Sequence, residues 1–327
     1  MVMEFTMESS ALGVPKAILH DILARLPDKE AAKTIALSKT WREYSFPNLS
    51  VHWEYFFTED DVPQGESHRF SGLDNLIDYV TKRLLRLRDQ GLALEEFKLN
   101  LGDLVDPTLV SLHLDQWIRM VCESGVKVLE LDLSADHGRW DLPLCAIEAN
   151  SLTKLELGEG IRIDQEFLKH SMKLSSMKML SLTRVLFTHE GVIEHLISHC
   201  PLTEHLTVDH CYVYNHLSLE VPLESLFLYG LQLQKLKEVD LQGIQEVYID
   251  SPNLENLRYE PLDFNAPFKL DFNSCTTLRS LLLMRLQYTA NADNWFLELF
   301  SKHPFLESLE IFACSVFERI NISSAQL

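Results

Sequence analysis

The sequence predicts an α/β solenoid, a curved parallel sheet of short repeated strands headed by three short helices. Three observations carry that expectation. A Leu-x-x-Leu-x-Leu phrase recurs down the chain from Leu94 onward. Its central positions 131, 155, 180 and 206 stand 24, 25 and 26 residues apart, enough for one strand and one return. Ahead of the phrase, residues 14–42 instead space their apolar side chains as helices do, between two prolines.

Taken in order, residues 1–13 have no periodicity and read as a flexible tail. Pro15 opens a helix at a position that tolerates its missing donor. Ile18, Leu19, Ile22, Leu23 and Leu26 follow on one stripe, and Pro27 ends it, because the residue before a proline is driven from helical angles. Asp28 caps a second helix holding Ala31, Ala32, Ile35 and Ala36, and Ser38 caps a third that presents Trp41 and Tyr44. Helices this short cannot bury so many apolar side chains among themselves. The unit therefore either covers the solenoid's end or docks into a partner's groove.

Residues 14–42 resemble an F-box of the plant type. Val14-Pro15, Ile18-Leu19, Ile22-Leu23, Leu26-Pro27, Leu37-Ser38-Lys39 and Trp41-Arg42 stand in that motif's register, with Val14 where leucine is usual and a shortened stretch before Pro47. The resemblance implies an F-box over residues 14–50. In it Val14, Pro15, Ile18, Leu19, Ile22, Leu23, Leu26, Pro27, Leu37 and Trp41 would hold a Skp-type adaptor and, through it, a cullin.

Residues 51–93 read as a linking strand and loop followed by a helix over Leu73–Arg88, with Leu73, Leu76, Ile77, Val80, Leu84 and Leu87 on one face. Its Lys82, Arg83, Arg86 and Arg88 fit a solvated helix end, where cations are favoured, better than a phosphate site. Residues 94–327 carry the phrase as Leu94-Phe97-Leu99, Val128-Leu131-Leu133, Leu152-Leu155-Leu157, Met177-Leu180-Leu182 and Thr203-Leu206-Val208. It continues through Leu223-Leu226-Leu228, Leu236-Val239-Leu241, Ile244-Val247-Ile249, Leu254-Leu257-Tyr259, Leu278-Leu281-Leu283 and Leu306-Leu309-Ile311. The longer first step holds a helix around Leu112–Val121. Positions 226, 239, 247 and 257 crowd together, which predicts a strand-rich patch poor in helix. The regular spacing is that of leucine-rich repeats. His199-Cys200-Pro201 before Leu206 and Cys211 matches Lys302-His303-Pro304 before Leu309 and Cys314, and resembles the cysteine-containing repeats of that family. Ser251-Pro252-Asn253-Leu254 resembles its plant F-box subset.

The formal net charge of −19 argues against nucleic acid or anionic membrane as partner, since both require clustered cations. No apolar run is long enough to span a bilayer, and the first residues lack a secretory layout, so a cytosolic or nuclear place is expected. The cysteines Cys122, Cys145, Cys200, Cys211, Cys275 and Cys314 are scattered and read as free thiols.

His195, His199, Cys200, His205, His210 and Cys211 tempt as a zinc site. The repeat register instead turns the two thiols inward and His205 outward, away from any common point. Nucleophile, phosphate-loop and metalloprotease motifs are absent, so neither catalysis nor a cofactor is expected. What remains is a wall. Period-two alternation sends the leucines inward and their neighbours to the concave face. Glu130, Asp132, Glu156, His205, Phe227, Glu238, Asp240, Tyr248 and Arg258 are the candidate target-binding residues. Eight flanking residues are acidic and three basic, which favours a basic target segment, with Phe227, Tyr248 and Leu282 as apolar anchors. The expected function is substrate recognition for a Skp–cullin–F-box ubiquitin ligase. The rivals are an F-box scaffold without degradation and a metal-dependent enzyme.

Overall fold

The computed structural model describes residues 48–56, 66–91, 93–102, 105–133, 138–170, 172–231, 233–286 and 298–313. The tail, the three expected helices and every adaptor-binding residue from Val14 to Trp41 lie outside the described residues, as does Cys314.

With strands numbered along the chain, a ten-stranded sheet holds β1 (Asn48–His52), β2 (Glu96–Asn100), β3 (Val128–Asp132), β5 (Lys154–Leu157) and β7 (Met179–Thr183). It continues through β9 (His205–Asp209), β13 (Glu238–Gln242), β15 (Asn256–Glu260), β17 (Ser280–Met284) and β18 (Ser308–Phe312). Each strand pairs in parallel with that of the next coil. A five-stranded sheet holds β4 (Trp140–Asp141), β6 (Ile161–Ile163), β8 (Leu186–Phe187), β10 (Tyr212–Tyr214) and β11 (Glu220–Pro222). A three-stranded sheet holds β12 (Ser225–Leu228), β14 (Glu246–Ile249) and β16 (Lys269–Asp271). The solenoid expected from the phrase is therefore present, and one continuous apolar core runs through it.

The packing follows from alternation. Phe97 and Leu99, Leu129 and Leu131, and Leu180 and Leu182 are all buried, while their neighbours are half-buried or exposed. The third inward residue, at Leu94, Val126, Leu152, Met177 and Thr203, precedes each strand and is buried as well. This corrects one register: Phe97 pairs with Leu129, so the phrase in that coil is Val126-Leu129-Leu131, two residues earlier than the leucine spacing suggested. A two-residue slip keeps every side chain on its face.

A second correction concerns the crowded patch. Leu226 and Val247 belong to β12 and β14, hence to the three-stranded sheet, whereas Val239 and Leu257 belong to the long one. Thirty-three residues separate His205 from its neighbour Glu238, and only 18 separate Glu238 from Asn256. The patch is rich in strand, but its strands serve two layers.

The sheet also begins earlier than residue 94. β1 joins it with Leu49 and Val51 fully buried, and helix α1 (Glu66–Asp89) packs Leu76, Val80, Leu84 and Leu87 into the same core. On α1, Lys82 pairs with Asp78 and Arg88 with Asp89, both in solvent. Helix α2 (Ser111–Glu123) follows a 3₁₀ turn started by Asp106, whose carboxylate accepts from the Thr108 N–H. It buries Leu114, Trp117, Ile118 and Val121. The Trp117 Nε1–H donates to Thr81 Oγ1 (3.0 Å), and the Trp140 Nε1–H donates to Asp115 Oδ1 (2.9 Å), so α2 is bonded to the coils on both sides.

The residue before each marker proline is a buried donor. Cys200 Sγ reaches Leu196 O, Ser251 Oγ reaches Leu233 O, and His303 Nδ1 donates to Cys275 O at 3.0 Å. His303 is also stacked on Phe272 with ring centroids 4.8 Å apart. Burial pushes its pKa down, so the folded state binds fewer protons than the unfolded chain below about pH 6.5. Its stabilisation is full above that pH and is lost as pH falls toward the lowered folded value. His303→Gln should flatten the acid limb of the stability curve between pH 7 and 5. An unchanged slope in urea melts at those pH values would refute the assignment.

Candidate partner-binding face

The outward residues of the long sheet form three rows, set by strand register. One row runs Glu96, Val128, Lys154, Met179, His205, Glu238, Asn256, Ser280 and Ser308. The middle row runs Lys98, Glu130, Glu156, Ser181, Thr207, Asp240, Arg258, Leu282 and Glu310. The third includes Asn100, Asp132, Thr183, Asp209, Gln242 and Glu260. Glu130, Asp132, Glu156, His205, Glu238, Asp240 and Arg258 therefore share one face, as alternation requires.

Their charges are largely answered within the wall. Glu130 meets Lys154 at 2.5 Å and Lys98 at 3.0 Å, and Lys154 also meets Glu156 at 2.9 Å. His205 Nδ1 lies 2.8 Å from Glu238, Arg258 Nε lies 3.6 Å from Asp240, and Asn100 donates to Asp132. Burial raises the Glu130 pKa, but Lys154 and Lys98 outweigh it and hold the carboxyl below its usual range. That stabilisation is present above about pH 4.3 and is lost as pH falls through the lowered value. Glu130→Gln should therefore cost about 1 kcal/mol at pH 7, since the group is only part-buried, and almost nothing at pH 3. Equal costs at the two pH values would remove the ion-pair explanation. Asp240 is different: burial pushes its carboxyl up, and Gln242 and Arg258 only partly offset that.

Two clefts open on the face. One, of about 380 Å³, is lined by Lys98, Glu130, Asp132, Glu156, Glu159 and Arg184. The other, of about 420 Å³, lies between Glu156, Met179, His205, Asp240, Arg258 and Leu282. The rim residues Glu159 and Arg184 were absent from the sequence-derived set. Arg184, His210, Gly243 and Arg285 each follow a strand of the long sheet and each has a left-handed φ. Arg184 pairs there with Glu159, His210 with Asp209 and Arg285 with Glu260. The left-handed residue recurs one position past β7, β9, β13 and β17, but arginine, histidine and glycine share no side-chain signature that marks it in the sequence.

Phe227 and Tyr248 do not join this face. They lie in register on β12 and β14 of the three-stranded sheet, which corrects their assignment to the wall. A Leu-x-Leu strand looks the same in either layer. The tempting histidine–cysteine group does not converge either. Cys211 Sγ reaches Leu182 O inside the core, Cys200 is fully buried, and His205 faces Glu238 on the wall. Burial pushes both thiols up to about 12, far from the thiolate that a metal or an electrophile needs. Cys122, Cys145, Cys200, Cys211 and Cys275 are free thiols.

Comparison with known proteins places the architecture. A family model described as "At1g61320/AtMIF1, LRR domain" matches residues 87–327, most of the chain. The chain belongs to the plant F-box/leucine-rich-repeat family. F-box/LRR-repeat protein At4g14103 of Arabidopsis thaliana is 30% identical over 255 residues, 76% of this F-box/LRR chain and 60% of the relative. F-box/LRR-repeat protein At4g14096 of the same organism is 28% identical over 269 residues, covering 80% and 52%. FBD-associated F-box protein At4g13985, also from Arabidopsis thaliana, is 28% identical over 251 residues, covering 75% and 50%. The F-box/LRR chain thus spans about half to three fifths of the length of these relatives. Among its described residues no helix is long and apolar enough to cross a membrane.

Proposed function

We propose that this F-box/LRR chain is a substrate-recognition subunit of a Skp–cullin–F-box ubiquitin ligase, acting in the cytosol or nucleus. Residues 14–50 dock on the Skp-type adaptor, and the outer face of the long sheet captures a target protein. The observation that carries the reading is the joining of the F-box pattern at Val14–Arg42 to a repeat wall whose outward rows carry paired charges around two clefts. The chain's own chemistry is proximity: holding a target beside transfer machinery raises the effective concentration of its lysines.

The wall's excess of carboxylates favours a basic target segment. Glu130 is a poor probe of that preference because its charge holds Lys98 and Lys154. Asp132, Glu238 and Asp240 report on it better. Co-purification with a Skp-type adaptor tests the first half of the reading. Wild type should retain the adaptor, and the combined Pro15→Ala, Ile18→Asp and Trp41→Ala variant should lose it; equal retention would overturn it. Target abundance followed with and without the chain separates a ligase subunit from a scaffold. Asp132→Asn with Glu238→Gln and Asp240→Asn should then weaken target capture most at low salt.

A further inference from the structure

Phe227 and Tyr248, displaced from the wall, meet a third ring on the three-stranded sheet. Phe227 stacks on Tyr248 with centroids 5.1 Å apart at 17°, and Tyr229 stands edge-on to both at 6.0 and 6.3 Å. Phe227 is 39% exposed and Tyr229 58%. Buried Leu226, Leu228, Val247 and Ile249 alternate with these outward residues and hold them in place. Charges surround the rings. Glu246 lies in register between Ser225 and Lys269, and Asp271 stands in register with Tyr248 and so with Phe227. Asp250 follows β14 directly, and its N–H donates to Leu228 O (3.3 Å), the residue before Tyr229. The Lys269 Nζ sits 4.6 Å from the centre of the Tyr248 ring, so the chain already places a cation on one of these faces. Glu246 and Asp271 both favour the charged form of Lys269, and the Glu246 and Asp250 side chains are exposed.

We propose that this aromatic face is a second docking surface, separate from the wall, which takes an arginine-bearing segment of a protein partner. The chemistry selects arginine. A planar guanidinium stacks on an aromatic face and keeps its N–H fork for a carboxylate, whereas an ammonium does only one of these well. Phe227 and Tyr229 offer the faces, and Asp250 and Glu246 offer the carboxylates. The same carboxylates repel nucleic acid and a second copy of this acidic chain. A proline-rich segment would use the rings and leave the carboxylates without a role.

Fluorescence anisotropy on the full chain tests this with a labelled Gly/Ser peptide carrying three arginines, its lysine counterpart and an uncharged proline-rich peptide. The arginine peptide should bind at least fivefold more tightly than the lysine peptide. Phe227→Ser with Tyr229→Ser should weaken it about tenfold, and Asp78→Asn with Lys82→Gln, a solvent-exposed pair on α1, should leave it unchanged. Equal binding of arginine and lysine peptides, indifference to the ring substitutions, or preference for the proline-rich peptide would overturn the proposal. If the double substitution prevents folding, a photo-crosslinking arginine peptide on the wild type decides. Adducts at 225–229 and 246–250 support the surface, and adducts confined to the long sheet overturn it.

Discussion

Trp117→Ala should destabilise the chain by about 4 kcal/mol, the range for truncating a fully buried aromatic. Trp117 has no exposed surface, and its Nε1–H satisfies Thr81 Oγ1, so alanine opens a cavity and strands a hydroxyl on α1. The damage should be local. Each coil touches only its neighbours, so the coils carrying α1, α2, β2 and β3 would loosen before those around β13 to β18. Urea unfolding should show a lowered midpoint, and hydrogen exchange should show lost protection at 76–121 first. Trp117→Phe keeps most of the ring and should cost about 1 kcal/mol beyond its lost volume, the worth of one hydrogen bond. A loss below about 1 kcal/mol for alanine would show that α1 does not depend on this tryptophan.

Gly243→Ala should cost about 3 kcal/mol, because two penalties fall on one atom. Gly243 has φ +72°, and a Cβ there would lie 2.8 Å from His210 Cδ2 and 3.1 Å from the His210 Cα. The ring can turn aside; the backbone cannot. His210 is itself left-handed and is held by Asp209, which raises its pKa. That contribution is complete below the unfolded value of about 6.5 and is lost as pH rises through the raised folded value. Its sign is opposite to that of His303. His210→Ala should recover part of the loss in the Gly243→Ala background, the part owed to the ring, in a double-mutant cycle. Strict additivity of the two substitutions would mean that the contact carries no energy.

Much of this architecture was legible because a leucine at every second position has only one way to face a core. Leu155, Leu180 and Leu206 were placed from spacing alone, and the outward rows followed from parity. Register within a coil was harder: Leu129, Leu131 and Leu133 are all buried, so three leucines fit two choices. Layer membership was not legible. Leu226 and Val247 alternate as Leu206 and Val239 do, and only a spacing too short for adjacent coils hinted that two sheets were being read as one. Phe227 went to the wrong surface for that reason. The rim position of Arg184 was hidden because its left-handed backbone is occupied elsewhere by His210, Gly243 and Arg285, residues with no common side-chain signature.

The short coil from β13 to β15 has a mechanical consequence. Strands advance about 4.8 Å per coil and packed helices about 8–10 Å. Wherever a helix such as α2 or α3 (Gly191–Ser198) backs the wall, the two sides advance at unequal pitch and the stack must bend toward its strands. Between β13 and β15 the return carries strand β14 and no helix, so that coil adds less bend than one backed by a full helix. A rigid partner laid along the wall therefore meets uneven curvature, gentler where β13 and β15 stand side by side.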